Sequence, residues 1–366
     1  MSILPDSLET EEGRTRLLIP EAHSSKGPGK RLGCVFFNAQ MAFNRDVSVM
    51  LFRALRIKGT ALDAMAATGA RGVRLANESP GDYEMFINDK DPRAFRYIQA
   101  NMELNSLDNC QAVNQDLRCH LASKVHDYVD IDPFGTPVPF IQPALQGLKR
   151  NGVLALTATD TAPLAGTHAK KCVRRYMARP LRNDFGHETG LRILMGYLAR
   201  EAAQVDKGIR PVLCFYADHY FRCFVRCPES AAAAEESLAN LGFLCYDPTT
   251  HERSWSKEPS ATAYGPMWLG PLHDRATLSD MEAAEGLQER ERCRKYLELW
   301  RGELEWPFFY ENNELSSMLK LSPHVLEQVI ERLNHIGHAS RTHFSPTGFK
   351  TDLPLKDVRA TYLDMA

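Results

Sequence analysis

From about residue 60 to residue 227, short apolar runs alternate with amphipathic stretches, which is the spacing of repeated strand–helix units. Segments 60–64, 83–88, 110–114, 128–131 and 152–159 read as strands, the last strongly apolar. Helices are predicted over 44–55, from 72 to 77, over 92–105 and over 138–148, with Pro92 suited to a first helical turn. Residues 210–217 and 220–226 read as two strands joined by a tight turn at Asp218-His219. Repeated strand–helix units closing on a hairpin imply an α/β fold, a doubly wound sheet with an antiparallel edge strand.

The texture changes after Pro228. A helix over 230–241 is expected to stop at Gly242, followed by a loop-rich segment to Pro271 and a long charged helix over 279–301. The end is more structured in pattern. A short helix over 313–319 leads to a turn with Ser322 as cap and Pro323 at the first helical position, then a helix over 323–336. Its apolar positions are Val325, Leu326, Val329, Ile330, Leu333 and Ile336; Gly337 stops it and 339–344 is strand-like. Helix, turn, longer helix and strand make a winged-helix-like pattern, which serves both nucleic-acid binding and plain packing. The expected division is therefore 1–228 and 229–366, the second a smaller α+β domain. Residues 1–45 read as loops and short strands, with a flexible basic linker over 24–30.

At 366 residues the chain is long enough to bury two cores. No apolar run approaches the ~20 residues of a membrane helix, and the N-terminus shows no secretory pattern. Nine scattered cysteines argue against a disulfide framework and for a reducing, cytoplasmic setting. Cys223 and Cys227, on one alternating strand, read as buried thiols rather than a zinc pair. Forty-four basic residues against 46 acidic give a net charge of −2, which excludes a globally basic nucleic-acid binder but not a local basic face. One such face exists in the sequence. Lys170, Lys171, Arg174, Arg175, Arg179 and Arg182 follow one another with no acid among them. A solvated helix face explains them, and so does a phosphate-rich partner.

The candidate chemistry lies at strand ends. Asp63-Ala64-Met65-Ala66-Ala67-Thr68-Gly69-Ala70-Arg71-Gly72 is a strand, a small-residue turn and a helix start, where a ligand can approach the backbone. It is not the dinucleotide G-x-G-x-x-G. Asp89 ends the next strand, where α/β nucleotide folds place a ribose-binding carboxylate, and Asp116 ends the third, within reach of an adenine amine. Alone, each acid is an ordinary turn or cap residue; in register they point to a ribose- and adenine-bearing ligand. The fourth strand then delivers Asp130-Ile131-Asp132-Pro133-Phe134-Gly135. A carboxylate and a proline-fixed carbonyl accept N–H bonds, and an aromatic ring stacks, so this segment suits a flat, amine-bearing ring.

That order of Gly turn, ribose acid, adenine acid and acid-Pro-aromatic resembles the class I S-adenosylmethionine-dependent methyltransferases, whose sheet is Rossmann-like. Further matches resemble the tRNA (guanine-26-N2)-dimethyltransferase family. They are Phe36-Phe37-Asn38, Asn44-Arg45-Asp46, Thr157-Ala158-Thr159-Asp160, Asp218-His219-Tyr220-Phe221-Arg222, Tyr264-Gly265-Pro266 with Trp268-Leu269-Gly270-Pro271-Leu272, and Arg341-Thr342-His343-Phe344-Ser345-Pro346-Thr347-Gly348. They run from about residue 14 to 350. The resemblance implies Arg45, Asp63, Gly69, Arg71, Asp89, Asp116 and Leu117 as cofactor contacts, with the two arginines at the methionine end. It implies Asp132, Pro133 and Phe134 as the catalytic segment, with Asp130 in support, and a tRNA substrate read in part by Lys170, Lys171, Arg174 and Arg175. It implies no membrane association and no obligate protein partner. The paired zinc cysteines that many members carry near 243–262 are reduced to Cys245, so no metal is expected. A methyltransferase for another amine, a nicotinamide-dependent dehydrogenase and a non-catalytic RNA binder are the rivals. One proline directly before Phe134, the absent G-x-G-x-x-G and the intact set of acids count against each in turn.

Overall fold

The computed structural model describes residues 4, 6–24 and 35–365, so most of the predicted 24–30 linker lies outside the described residues. A hairpin of β1 (Ser7–Glu12) and β2 (Thr15–Pro20) opens the chain, followed by a one-turn 3-10 helix and α1 (Ala42–Leu55). Strands and helices then alternate: β3 (Gly59–Asp63), α2 (Ala70–Glu78), β4 (Tyr83–Asn88), α3 (Pro92–Leu104), β5 (Cys110–Val113), α4 (Leu117–Ser123), β6 (His126–Ile131), α5 (Val138–Gln146) and β7 (Leu148–Ala158). Three helices follow, α6 (Thr161–Leu164), α7 (Ala169–Tyr176) and α8 (Gly186–Ala203), then the strands β8 (Arg210–Ala217) and β9 (Tyr220–Cys227).

The seven-stranded sheet has the order β5-β4-β3-β6-β7-β9-β8. From β5 to β7 the pairings are parallel, because each strand returns through a helix. The β8–β9 hairpin folds back at Asp218-His219, and the order sets β9 inside the sheet and β8 at its edge. Reversal of order at β3 and β6 places the carboxyl ends of these strands beside a topological switch point, where ligands bind in open α/β sheets.

The remaining elements are α9 (Ala231–Ala239), β10 (Leu241–Tyr246), β11 (Arg253–Ser256), β12 (Tyr264–Trp268), α10 (Arg275–Asp280), α11 (Arg290–Gly302), β13 (Tyr310–Glu311), α12 (Asn312–Leu319), α13 (Leu326–Leu333), β14 (Ala339–Arg341), β15 (Gly348–Thr351) and α14 (Leu355–Asp364). Here the structure departs from the sequence pattern in four places. Gly242 does not end a helix but sits in β10, where a Cβ would meet the Ser256 carbonyl at 2.8 Å. The segment expected as loop is a three-stranded sheet, β11-β10-β12. The long charged helix is two, interrupted where Gly286 takes φ +86° and the amides of Gln288 and Glu289 turn to Asp46. Finally α13 starts at Leu326, not Pro323, because the His324 carbonyl accepts from Asn312 and its amide donates to Tyr362 instead of entering a helix. With β13-β15-β14 as its wing, this end keeps the winged-helix-like layout.

By packing, the chain forms two units that interleave along the sequence. One comprises Met1–Thr159, Phe224–Glu229 and Arg275–Leu297; the other Asp160–Cys223, Ser230–Asp274 and Glu298–Ala366. In the second unit, Lys350 is buried with Nζ 3.2 Å from Glu188 and 2.9 Å from Glu303. Glu188 also accepts from the amides of Phe308 and Phe309, so both carboxylates hold position through paired donors.

Candidate active site

Strand β3 ends on Asp63, and the chain turns through Ala66, whose amide donates to the Asn88 carbonyl, and Ala67 at φ +50°. Gly69, at φ +80°, begins α2 without any side-chain cap, leaving the helix N-terminus open for a ligand. Gly72 lets the helix close on the sheet, since a Cβ there would meet Ile87 at 2.9 Å. Asp63 accepts from the Gly72 amide at 2.9 Å. Asp89 closes the turn from the next strand, accepting from the amides of Ala67 (2.8 Å) and Asp91 (2.9 Å). Asp116 caps α4 and is gripped by Arg118, whose side-chain and backbone hydrogen bonds pull its carboxyl down to about 2. Leu117 is buried beside it. Asp63 ends β3 and Asp89 directly follows β4, whereas Asp116 stands three residues past β5 as the cap of α4; each also ties its own turn.

Arg71 organises the next layer. Its Nη2 lies 2.5 Å from Oδ2 of Asp132, its Nη1 donates to Asn44 (2.8 Å) and Ser48 (2.6 Å), and its Nε lies 3.8 Å from Asp130. Asp130 faces Asp63 across the β3–β6 ladder and accepts from the Tyr128 hydroxyl at 2.9 Å. Two carboxylates thus share one guanidinium, and Asp63 acts on it at longer range. Burial works against the charge on Arg71, but Asp130, Asp132 and Asp63 outweigh it and hold the guanidinium above its ordinary value. Asp63 is pushed up to about 7, first by burial and then by Asp130, with Arg71 pulling the other way. Asp132 is the acid left accessible: its side chain is 24% exposed, against 1% for Asp130.

Arg45 serves a different network. Its guanidinium is held in bidentate fashion by Glu12 at 2.6 Å and also donates to the Asn38 carbonyl. Glu12 passes the charge on to buried Arg74, which also binds Asp46 and Glu78. Past Asp132, Pro133 is buried and Phe134 is 64% exposed, its ring edge-on to Phe36 at 4.6 Å. Gly135, at φ +83°, finishes the turn. An accessible carboxylate followed two residues later by an exposed ring, with an uncapped helix start and two further acids on the neighbouring turns, is the chemistry that suits a nucleoside-bearing ligand and a flat amine.

A model of the family described as N2,N2-dimethylguanosine tRNA methyltransferase matches residues 13–362. This chain belongs to that family. Its relatives include the tRNA (guanine(26)-N(2))-dimethyltransferases of Pyrococcus abyssi, 40% identical over 95% of this chain and 96% of that protein, and of Methanosphaerula palustris, 37% identical over 97% and 98%. The structure of Trm1 from Pyrococcus horikoshii with S-adenosyl-L-methionine is similar, with TM-score 0.90 and 37% identity, covering 97% of this chain and 99% of that one. The class I methyltransferase fold expected for this family is the fold observed.

In the second unit, α7 carries the basic stretch. Lys170 and Arg174 are exposed, Lys171 is half-buried, and Arg175 is ion-paired with Asp160 at 2.9 Å. Arg179 donates to the Ala261 carbonyl and lies over the Tyr264 ring, so it serves packing. Cys245 is a free thiol. Among the described residues, His273, Glu303 and His343 bring potential metal-ligand atoms within 4.8 Å of one another. The Glu303 carboxylate there already accepts from Thr342, His343 and the Lys350 ammonium, so its charge is matched from within. Residue patterns missed Glu12, Asn44, Ser48 and Tyr128. Asn44 and Ser48 had a signal, two polar positions one turn apart on the same helix face.

Proposed function

We propose that this chain transfers methyl groups from S-adenosylmethionine to the exocyclic N2 of guanine 26 in tRNA, in two rounds, giving N2,N2-dimethylguanosine. One observation carries the reading: Asp132 is clamped by Arg71 from the first turn of α2, remains accessible, and precedes the exposed ring of Phe134 by two residues.

The residues around the turn fit a ligand with ribose, adenine and a charged tail. Asp89 keeps lone pairs for ribose hydroxyls after its two amide bonds, and Asp116 with Leu117 suits the adenine. In this reading Asp63, Gly69 and Arg71 line the remainder, Arg71 chiefly by fixing Asp132, and Arg45 reaches the ligand only by giving up its bonds to Glu12. Bound there, S-adenosylmethionine supplies a methyl group already activated on a sulfonium.

The guanine N2 lone pair is delocalised into the ring, which makes the amine a weak nucleophile. Hydrogen bonds from N2 to the Asp132 carboxylate and the Pro133 carbonyl return density to nitrogen and orient it. Asp132 then takes the N2 proton. One N–H remains after the first transfer, enough for a second. Phe134 stacks the base after it leaves the tRNA stem junction, offsetting an extraction cost of a few kcal/mol.

In this reading residues 1–228 perform methyl transfer and 229–366 bind tRNA, aided by Lys170, Lys171, Arg174 and Arg175 on and around α7, with recognition by shape and phosphates. Arg175 contributes mainly by anchoring α7 through Asp160. The enzyme works in the cytoplasm, in keeping with its free thiols, and no helix among the described residues is long and apolar enough to cross a membrane. Incubation with labelled S-adenosylmethionine and unmodified tRNA, followed by nuclease digestion, tests the reading. Label should appear at guanine 26, first as mono- and then as dimethylguanosine. Unchanged labelling of a tRNA carrying adenine at position 26 would refute it.

A further inference from the structure

Phe134 is the most exposed large apolar side chain of the active-site turn, and the only ring contact described for it is the edge of Phe36. Its direction must therefore come from the backbone. That backbone passes through Gly135 at φ +83°, a position with no heavy atom within 4 Å of where a Cβ would stand. A glycine in open space has many conformations to lose, so something must select this one. The selecting partner is Thr159, at the end of β7. The Gly135 amide donates to Thr159 Oγ1 at 2.7 Å, and the Thr159 amide donates back to the Gly135 carbonyl at 2.9 Å. Two reciprocal bonds close a ring between neighbouring strand ends.

We propose that Thr159 is a positioning residue for methyl transfer, acting through Gly135 to fix the Phe134 ring and the Pro133 carbonyl against the incoming base. The inference rests on the reading of Phe134 as the stacking ring. The Thr159 hydroxyl is the acceptor that ties the Gly135 amide to the end of β7. Thr159 is itself exposed, so replacing it leaves the core untouched. The second methylation should feel its loss most. Monomethylguanine offers a single N–H for orientation, so it depends more on the wall it stacks against.

The test compares Thr159→Val, Thr159→Ser and Phe134→Ala in the full-length enzyme with unmodified tRNA. Thr159→Val keeps the shape and the backbone bond and removes the acceptor. It should lower kcat on the order of ten- to a hundredfold, raise the ratio of mono- to dimethylguanosine at equal total label, and leave S-adenosylmethionine affinity and thermal midpoint unchanged. Thr159→Ser, which restores the oxygen, should recover most of the rate and the normal product ratio. If Thr159→Val matches the parent while Phe134→Ala is impaired, Thr159 is not a positioning residue and the stacking role stands. If Phe134→Ala matches the parent in rate and product ratio, the stacking role itself fails. Equal loss in Thr159→Val and Thr159→Ser would also overturn the proposal, because the oxygen would then not be the cause.

Discussion

Arg71 Nη2 lies 2.5 Å from Asp132 Oδ2, so the guanidinium expected to meet the cofactor is committed to the acid expected to meet the substrate. Removing the acid's charge while keeping its shape separates the two tasks. Asp132→Asn should lower kcat by about 10²–10⁴, the usual worth of a positioned proton acceptor. S-adenosylmethionine affinity, followed by calorimetry, should change little. A parallel loss of affinity would move Asp132 into the cofactor site.

Arg71 itself answers to three buried or half-buried carboxylates. Arg71→Met strands them and should destabilise the fold by about 3–5 kcal/mol, the cost of breaking a buried pair from one side. Arg71→Lys keeps the charge but not the fork, so most of the stability should return while the rate does not. Chemical denaturation and single-turnover kinetics on both variants decide this; equal recovery of both properties by lysine would show that geometry is irrelevant.

Asp63 makes stability depend on pH. Burial raises its carboxyl from 3.8 to about 7, so between those values the folded protein holds a proton that the unfolded chain has released. Folding is then favoured less as pH rises through that window, by about 4 kcal/mol at most. Asp63→Asn should flatten this fall while its amide oxygen still accepts from Gly72. Urea denaturation at pH 5 and pH 8 measures the difference, and an unchanged pH slope counts against it.

Lys170 and Arg174 are the exposed cations of α7. Replacing both with alanine should weaken tRNA binding and reduce the slope of log affinity against log salt by about 1–2, one contact per charge. Turnover at saturating tRNA should persist. An unaltered salt slope would take α7 out of the interface.

Lys350 sits between Glu188 and Glu303 with 2% of its side chain exposed. Lys350→Met leaves two buried carboxylates short of a counter-charge and should cost about 3–5 kcal/mol. A thermal melt that shifts by less than a degree would show that the other donors suffice.

The sheet was largely legible along the chain. Tyr83–Asn88 and Arg210–Ala217 fall where the pattern placed them, because a strand buried on both faces reads as a short apolar run. The helix Gly186–Ala203 was invisible, since it is buried on nearly all sides and so lacks an amphipathic period. Gly242 misled for a related reason: a glycine required by close strand packing looks like a helix stop when its neighbours are unknown.

The candidate site divides in the same way. Sequence alone determined that Asp63, Asp89, Asp116 and Asp132 stand at or just past successive strands, because one acid after each apolar run is a local signal; that Asp116 caps α4 rather than ending β5 it did not show. It also determined the family, through motifs spread over the chain. Only the tertiary structure decided which charges meet. It gave Arg71 to Asp132 and Arg45 to Glu12, a partner 33 residues away on a different element. It gave the Gly135 amide to Thr159. Charge pairing depends on distance in space, and a buried charge takes whichever partner the packing brings within reach.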